Sequence, residues 1–206
     1  PVLLPAGLAL GADGTLYLSD SINAQIFAYP PGGGAPKAIY AGEQKLRPQQ
    51  YQLVSPTGLA ISADRLFIAD PAGSQILEDD LTTGLFTFIT GDGSFPIHGP
   101  IAVNPAGTLF FGTGNQIYEI NPGGGAPQVY AGSLSGALLP EADGPALAVT
   151  TWPAAIAVNP TNGDLAIGDS DSDRIRIVRA ATQNVEAVAG EAQFSGDGIP
   201  AVLASI

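Results

Sequence analysis

Aspartates at alternate positions of one short run are the first candidates for a metal site. Asp169, Asp171 and Asp173 have the spacing of the first three ligands of a calcium-binding loop. Such a loop needs a glycine where this chain has Arg174, and a bidentate glutamate where it has Ala180. Asp and Ser also hydrogen-bond to their own backbone in turns. We therefore predict that this run forms a turn and binds no calcium.

His98 is the only histidine, and the chain has no cysteine. Zinc sites are built mainly from histidine and cysteine, so one histidine cannot complete a tetrahedral set without several carboxylates. A catalytic triad based on serine would have to use the same residue. We predict that His98 is an ordinary loop residue and that no transition metal is bound. We also expect His98→Ala to leave folding and function intact.

Two glycine-rich segments are candidates for phosphate binding. They are residues 32–36 and 123–127, and each reads Gly-Gly-Gly-Ala-Pro. A phosphate-binding loop needs a lysine and a hydroxyl residue directly after its last glycine, and neither segment has this pair. Because glycine and proline are typical of tight turns, we predict outer hairpin turns at both places.

Charge and composition exclude several classes of function. The chain of 206 residues has 19 acidic and 7 basic side chains, so its formal charge is -12, the wrong sign for contacts with nucleic-acid phosphates. No apolar run approaches the ~18 residues of a membrane-spanning helix, so we expect no membrane insertion. The chain begins at Pro1 and lacks methionine, which indicates a processed chain or a fragment whose targeting segment, if it has one, is not visible.

Internal repeats reveal the elements that must position these residues. A short apolar element with a central alanine occurs four times, at 8–10, 59–61, 101–103 and 156–158. Three further elements follow each copy. The second ends at Asp20, Asp70, Thr113 and Asp169; the third begins at Gln25, Gln75, Gln116 and Arg174; the fourth ends at Gly42, Gly91, Gly132 and Gly190. Four short strands per repeat are typical of a propeller blade.

The repeats predict an all-β protein, a β-propeller with four four-stranded blades. We expect a single domain over 1–206, with repeats at approximately 5–54, 55–98, 99–151 and 152–206. The alternation of large and small side chains predicts blades with one bulky and one small face, so that neighbouring blades interdigitate. The same alternation predicts two strands, not a helix, within residues 169–189.

The repeat pattern resembles the NHL repeat. It reads Pro-x-Gly-hydrophobic-Ala-hydrophobic, then Asp-Gly-x-Leu-Tyr-hydrophobic-x-Asp, then x-x-x-Ile, and residues 5–26 and 153–177 match it best. Residues 194–201 are similar to the linker between NHL repeats in bacterial secreted proteins and in teneurin-like surface proteins. The resemblance covers nearly the whole chain and implies a propeller. It implies no single function, since NHL propellers include binding platforms, RNA binders and lyases.

The number of repeats leaves three arrangements open. Six blades are usual in NHL propellers, whereas this chain has four repeats and ends in phase with its own start. The blades form a closed four-bladed ring, an open arc of a larger ring, or units that continue from one chain into another. The tail at 199–206 is apolar except for one serine. We predict that it is ordered and packs against the first repeat of the same chain or of a neighbour.

Three aspartates fall at equivalent repeat positions, namely Asp20, Asp70 and Asp169. In a propeller such residues form a ring near one mouth of the channel, where they could hold a divalent cation. An aspartate at the end of a strand can instead accept backbone N–H groups of the next turn. We predict the second role, and no metal.

Six residues are candidates for interaction with a partner. Tyr40, Tyr130 and Trp152 are expected to be exposed aromatics, and the outer-strand edges near them carry little protective charge. Val202, Leu203 and Ile206 belong to the apolar tail. A protein partner or self-association is therefore expected.

We predict a non-catalytic recognition or scaffold propeller that mediates protein–protein interaction outside the cell or at its surface, without a cofactor. The alternative is a subunit of a head-to-tail or edge-to-edge assembly. A third hypothesis is a lactonase-like or lyase-like enzyme, which would require carboxylates such as Asp20 and Asp169 to point into the channel.

Overall fold

Short strands joined by turns rich in glycine and proline build four antiparallel sheets in the computed structural model. The structure describes residues 4–41, 52–90, 96–133 and 143–190. Within these ranges the only helix is a single 3-10 turn at Pro71–Gly73. The predicted all-β propeller with four four-stranded blades is confirmed.

The strands of each blade pair in chain order. Blade 1 contains β1 (Pro5–Leu10), β2 (Leu16–Asp20), β3 (Gln25–Tyr29) and β4 (Lys37–Ala41). Blade 2 contains β5 (Gly58–Ser62), β6 (Arg65–Asp70), β7 (Gln75–Asp80) and β8 (Leu85–Thr90). Blade 3 contains β9 (Ile101–Val103), β10 (Leu109–Thr113), β11 (Gln116–Ile120) and β12 (Gln128–Ala131). A short strand, β13 (Gly144–Pro145), then pairs with the outer strand of blade 4, which contains β14 (Pro153–Val158), β15 (Leu165–Asp169), β16 (Arg174–Arg179) and β17 (Asn184–Ala189).

Each blade has two ends, which the turns define. We call the end at which the first strand begins the linker end, and the opposite end the hairpin end. Residues 170–173 connect β15 to β16 at the linker end, so the predicted turn in the acidic run is confirmed. The glycine-rich segments connect third to fourth strands at the hairpin end, also as predicted. Residues 169–189 form strands and no helix, as expected.

The repeat extends to the details of strand pairing. In every blade the pairing of the third and fourth strands is interrupted once, immediately after an isoleucine. These isoleucines are Ile26, Ile76, Ile117 and Ile175. Such an irregularity bends the strand and increases its twist, so all four blades are curved in the same way.

Three apolar cores lie between consecutive blades. Between blades 1 and 2, Ala9 belongs to the same core as Leu59. Between blades 2 and 3, Ala60 belongs to the same core as Ile101. A third core joins blades 3 and 4. The predicted packing of a small face against a bulky face is thus how the blades meet.

In the part of the chain that the structure describes, the ring is open between blade 4 and blade 1. The first strands lie side by side in the order β1, β5, β9 and β14, but β14 does not pack along β1 within the described residues. No apolar core joins these two blades in the same ranges. The described blades therefore form an arc with one uncovered face at each end.

Glycine allows the first strands of blades 1 to 3 to approach closely. A Cβ atom at Gly7 would collide with the carbonyl oxygen of Thr57, and one at Gly58 with that of Gly99. The Ser19 hydroxyl joins the first pair, since it accepts the Gly7 N–H at 2.8 Å and donates to the Thr57 carbonyl at 2.9 Å. No other residue type fits at Gly7 or Gly58 without moving backbone.

Candidate functional site

Buried aspartates at the linker end hold the chain where it enters a blade. Asp70 accepts the N–H groups of Val54 and Ser55, both at 2.8 Å. Asp20 accepts the N–H of Leu4 at 3.3 Å. Both also accept an N–H from the following turn, so the predicted structural role is confirmed. The bonds to the preceding segment could not be foreseen, because sequence spacing does not show which distant backbone reaches a side chain.

Asp169 adds a buried ion pair to this pattern. Its Oδ1 atom accepts the N–H of Trp152 at 2.9 Å, and its Oδ2 atom lies 3.2 Å from Nη1 of Arg176. Both side chains are fully buried, and Arg176 also donates to the carbonyl of Thr150. A buried pair is tolerated only when hydrogen bonds satisfy both charges. The carboxylate is therefore occupied by bonds within the protein.

The first strands line an open cavity of about 340 Å³. Its lining consists mainly of small and aliphatic residues from all four blades. His98 is the one titratable side chain among the described residues that line it, and Asp20, Asp70 and Asp169 do not reach it. The geometry that the enzyme hypothesis requires for Asp20 and Asp169 is absent.

Trp152 is exposed at the linker end, as the sequence predicts. Its side chain is 49% exposed, although its backbone is fixed on both sides. Asp169 accepts its N–H, and its carbonyl accepts bonds from the N–H and the hydroxyl of Ser170. The His98 ring lies edge-on to the Trp152 ring, with centroids 6.3 Å apart. The indole is thus presented to solvent from a rigid position.

Other large apolar side chains are exposed at the same end. Leu4 has the same backbone bonds in blade 1 as Trp152 has in blade 4, to an aspartate and to the serine after it. Leu4, Ile22 and Val54 are each at least half exposed. Together with Trp152 and His98 they form what we call the linker-end surface.

The expected exposure of Tyr40 and Tyr130 is wrong. Tyr40 is 0% exposed and Tyr130 is 9% exposed, because each ring fills a core between two blades. Tyr40 packs edge-on against Phe86, and its hydroxyl accepts the Leu53 N–H. Tyr130 packs edge-on against Phe110. An outer strand in a propeller is exposed at its edge, but the next blade covers its face.

Three other candidate residues lie outside the described residues. They are Val202, Leu203 and Ile206, and the predicted packing of the tail at 199–206 also falls there. Among the residues that the structure does describe, no three acidic or histidine side chains are close enough to hold a metal ion. Metal analysis of the purified protein tests the prediction that none is bound.

One buried carboxylate was not singled out from the sequence. Asp79 is 3% exposed in blade 2, and its Oδ1 atom accepts no hydrogen bond within the described residues. Burial, with a smaller effect of the neighbouring Asp80 charge, raises the pKa of Asp79 to about 6. In blade 1 the equivalent residue is Tyr29, so a comparison of repeats could have marked the position.

The comparisons with known proteins place the fold and leave the family open. No protein-family model matches the sequence, and no curated protein is significantly similar to it. Among the described residues no helix is both long and apolar enough to cross a membrane.

Several solved structures have a similar fold. A chain of the nidogen/laminin complex superposes with a TM-score of 0.71 at 18% identity, over 92% of this chain and 66% of that chain. A structural-genomics protein of unknown function from Bacteroides thetaiotaomicron gives 0.69 at 20% identity, over 90% of this chain and 47% of that one. Virginiamycin B lyase from Staphylococcus aureus gives 0.63 at 16% identity, over 92% and 57%.

These similar structures differ in function and are longer than this chain. The chain spans between about half and two-thirds of their length. At such identities the likeness concerns the fold alone: this chain is a four-bladed β-propeller.

Proposed function

We propose that this chain is a non-catalytic recognition propeller of the NHL type, which binds a protein partner through its linker-end surface. The observation that carries the proposal is Trp152, an exposed indole on a backbone that three hydrogen bonds hold in place. The proposed extracellular or cell-surface location rests on the similarity of residues 194–201 to linkers of secreted NHL proteins.

A fixed aromatic side chain is the kind of group that dominates protein interfaces. Tryptophan is enriched among the residues that contribute most to binding, because it buries a large area and has few rotatable bonds. A rigid backbone reduces the entropy that is lost on binding. Trp152 therefore enters an interface at little conformational cost.

The rest of the linker-end surface suits a protein partner. Leu4, Ile22 and Val54 add exposed aliphatic area. Clusters of exposed apolar residues with a polar surround are typical of protein-binding surfaces. Asp171 and Asp173, both exposed, supply part of that surround in blade 4.

The same geometry favours recognition over catalysis. The buried carboxylates at the linker end, Asp20, Asp70 and Asp169, are occupied by backbone N–H groups and, at Asp169, by Arg176, so none of these three is poised to transfer a proton. The cavity offers one titratable group, His98, within its described lining. Catalytic sites usually combine several such groups with shifted pKa values.

A quantitative capture experiment tests this proposal. The intact chain, Trp152→Ala and Leu85→Ala are immobilised and exposed to secreted and surface proteins of the source organism. Leu85 is 60% exposed on β8, away from the linker end, and serves as the matched control. We expect at least one protein whose recovery falls about tenfold or more with Trp152→Ala and is unchanged with Leu85→Ala.

Equal recovery of every captured protein with Trp152→Ala and the intact chain would contradict the proposal. Thermal melting of both variants checks that folding is unaffected, which we expect because Trp152 is 49% exposed and Leu85 is 60% exposed. Stoichiometric metal in the purified protein, lost in His98→Ala, would instead favour the enzyme hypothesis.

A further inference from the structure

We propose that the face of blade 4 that no described residue covers binds the corresponding open face of blade 1 on a second copy of this chain, so that the arcs associate head to tail. This inference concerns surfaces other than the linker-end surface and does not depend on the proposed function. It rests on the two faces being the two halves of an interface that the chain already builds between its own blades.

The blade 1 end face is bulky and apolar. Strand register places its side chains in two rows across β1, β2 and β3. The rows are Leu8, Leu18 and Phe27, and Leu10, Leu16 and Tyr29. Leu8 is 60% exposed and Leu10 is 65% exposed. No charged residue belongs to either row.

The equivalent face of blade 2 is covered by blade 1. There Leu59, Leu66, Ile68 and Leu77 occupy the positions of Leu8, Leu16, Leu18 and Phe27, and all four are buried in the core between the two blades. The blade 1 end face thus has the composition of a face that packs against a preceding blade.

The blade 4 end face has the complementary, smaller relief. Register places Ala157, Ala166 and Ile177 in one row, with Ala155 and Ile175 beside them, and Val188 lies on β17. Ile175 and Val188 are 48% and 47% exposed. Ala157 corresponds to Ala9, the small residue in the core between blades 1 and 2. This end keeps the central alanine of a face that packs against a following blade. It is flatter than those faces, because Ala166 stands where Tyr17, Phe67 and Phe110 fill the cores that follow blades 1, 2 and 3.

The sizes of the side chains determine which end faces can pair, because small side chains on one face leave room for large ones on the other. In the cores between blades, alanine of one first strand lies with leucine or isoleucine of the next. Pairing blade 4 of one copy with blade 1 of another repeats this arrangement, with Ala157 facing Leu8 and Leu10. Two blade 1 end faces would bring large side chains together without matching small ones. The association is therefore heterologous and joins unlike ends.

Charges on the blade 4 end face do not oppose this contact. Asp164, Arg179 and Glu186 form an ion-pair cluster at its hairpin end. At the equivalent place in blade 2, the Arg65–Glu78 pair lies against blade 3, where a Cβ atom at Gly107 would be 3.3 Å from Arg65. A partly exposed ion pair at this position is thus compatible with a covering blade.

Two features make the contact between copies weaker than the one between blades 1 and 2. Ala155 stands at the position of Gly7 and Gly58, where a Cβ atom would collide with the carbonyl of the neighbouring first strand, so the copies cannot approach as closely as blades 1 and 2 do. Four strands of five residues cover only about 300 Å² of plan area per face. Interfaces of this size are at the weak end of specific association. We therefore expect a strongly concentration-dependent mass.

Sedimentation of the full chain up to about 1 mM tests the proposal. The intact chain should increase in mass beyond a dimer as concentration rises. Leu10→Glu blocks the blade 1 end face, and Ile175→Glu blocks the blade 4 end face. Each variant alone should remain monomeric, with association weakened at least about tenfold. Mixed in equal amounts, they should form a dimer and nothing larger, since each keeps the face that the other lacks.

Leu85→Glu is the matched control, because Leu85 is as exposed as Leu8 but lies outside both end faces. It should associate like the intact chain. The proposal is wrong if the intact chain is monomeric at all concentrations, if either blocked variant still associates alone, or if the mixture yields no dimer. Circular dichroism and melting temperature of each variant ensure that a loss of association is not a loss of folding.

Discussion

Leu59 and Leu8 occupy the same position in blades 2 and 1, yet Leu59 is 7% exposed and Leu8 is 60% exposed. Leu66 and Leu16 differ in the same way, with 0% and 36%. The residue type, the strand and the register are equal in each pair. Only the presence of a preceding blade differs. Burial in this fold is therefore a property of the neighbouring blade and not of the repeat itself.

The largest loss of stability should come from substituting Gly58, the glycine that lets the first strands of blades 2 and 3 approach closely. In Gly58→Ala the new methyl group would collide with the carbonyl of Gly99, so we expect a loss of about 3 kcal/mol or more, or failure to fold. Gly168→Ala is the control, since its Cβ would make an ordinary 3.7 Å contact with Ala155 at the uncovered end. Equal stability of the two variants in urea unfolding would show that the first strands can separate freely.

The second largest effect should follow from truncating the paired leucines. Leu66→Ala leaves a cavity in a covered core and should destabilise by about 2 to 4 kcal/mol. Leu16→Ala should cost less than about 1 kcal/mol, because its side chain is already partly in water. Unfolding is measured at low protein concentration, so that association does not contribute. Equal losses would mean that the blade 1 end face is covered in solution.

Much of the fold could be predicted because the information repeats along the chain. Four alanines at the centres of first strands and four aligned strand ends identified the blades before any contact was known. The structural role of Asp20 and Asp70, which accept backbone N–H groups of the following turn, could be predicted from their position at strand ends. The burial of Tyr40 and Tyr130 could not be predicted from strand edges, because an outer strand is exposed at its edge but covered on its face. Trp152 was correctly expected to be exposed, whereas its fixed backbone depends on a bond to Asp169, 17 residues away.

The smallest expected effect on stability comes from Asp79 and depends on pH. Its pKa is raised to about 6 from an ordinary 3.8, so the folded protein binds a proton more tightly than the unfolded chain. Stability should fall as pH rises from about 4 to about 6 and stay lower above that range. Asp79→Asn removes this dependence. At pH 7.5 it should be more stable than the intact chain by about 1 to 2 kcal/mol. This is less than the full pKa difference implies, because the amide that replaces the carboxylate is itself a buried polar group at a place where one atom has no hydrogen-bond partner among the described residues.

The quantity to measure is the difference in unfolding free energy between the intact chain and Asp79→Asn, because other carboxylates also make stability depend on pH. The pKa values of Asp13, Asp80 and Asp164 are lowered by hydrogen bonds, from Thr15, from Thr82 and Thr83, and from Arg179 and Ala180, respectively. Those groups make the protein less stable as pH falls, the opposite sign. A difference that does not change between pH 4 and pH 7.5 would contradict the assignment to Asp79.

An arc in which each blade shares a core only with the next one behaves as a one-dimensional system. Blades 2 and 3 are held from both sides, whereas blades 1 and 4 are held from one. The outer units should therefore fray first, and amide hydrogens of β2 and β15 should exchange faster than those of β6 and β10. Association of the arcs would convert each outer unit into an inner one and slow its exchange to match. The protection of the outer blades against hydrogen exchange would then report how many copies the head-to-tail assembly contains.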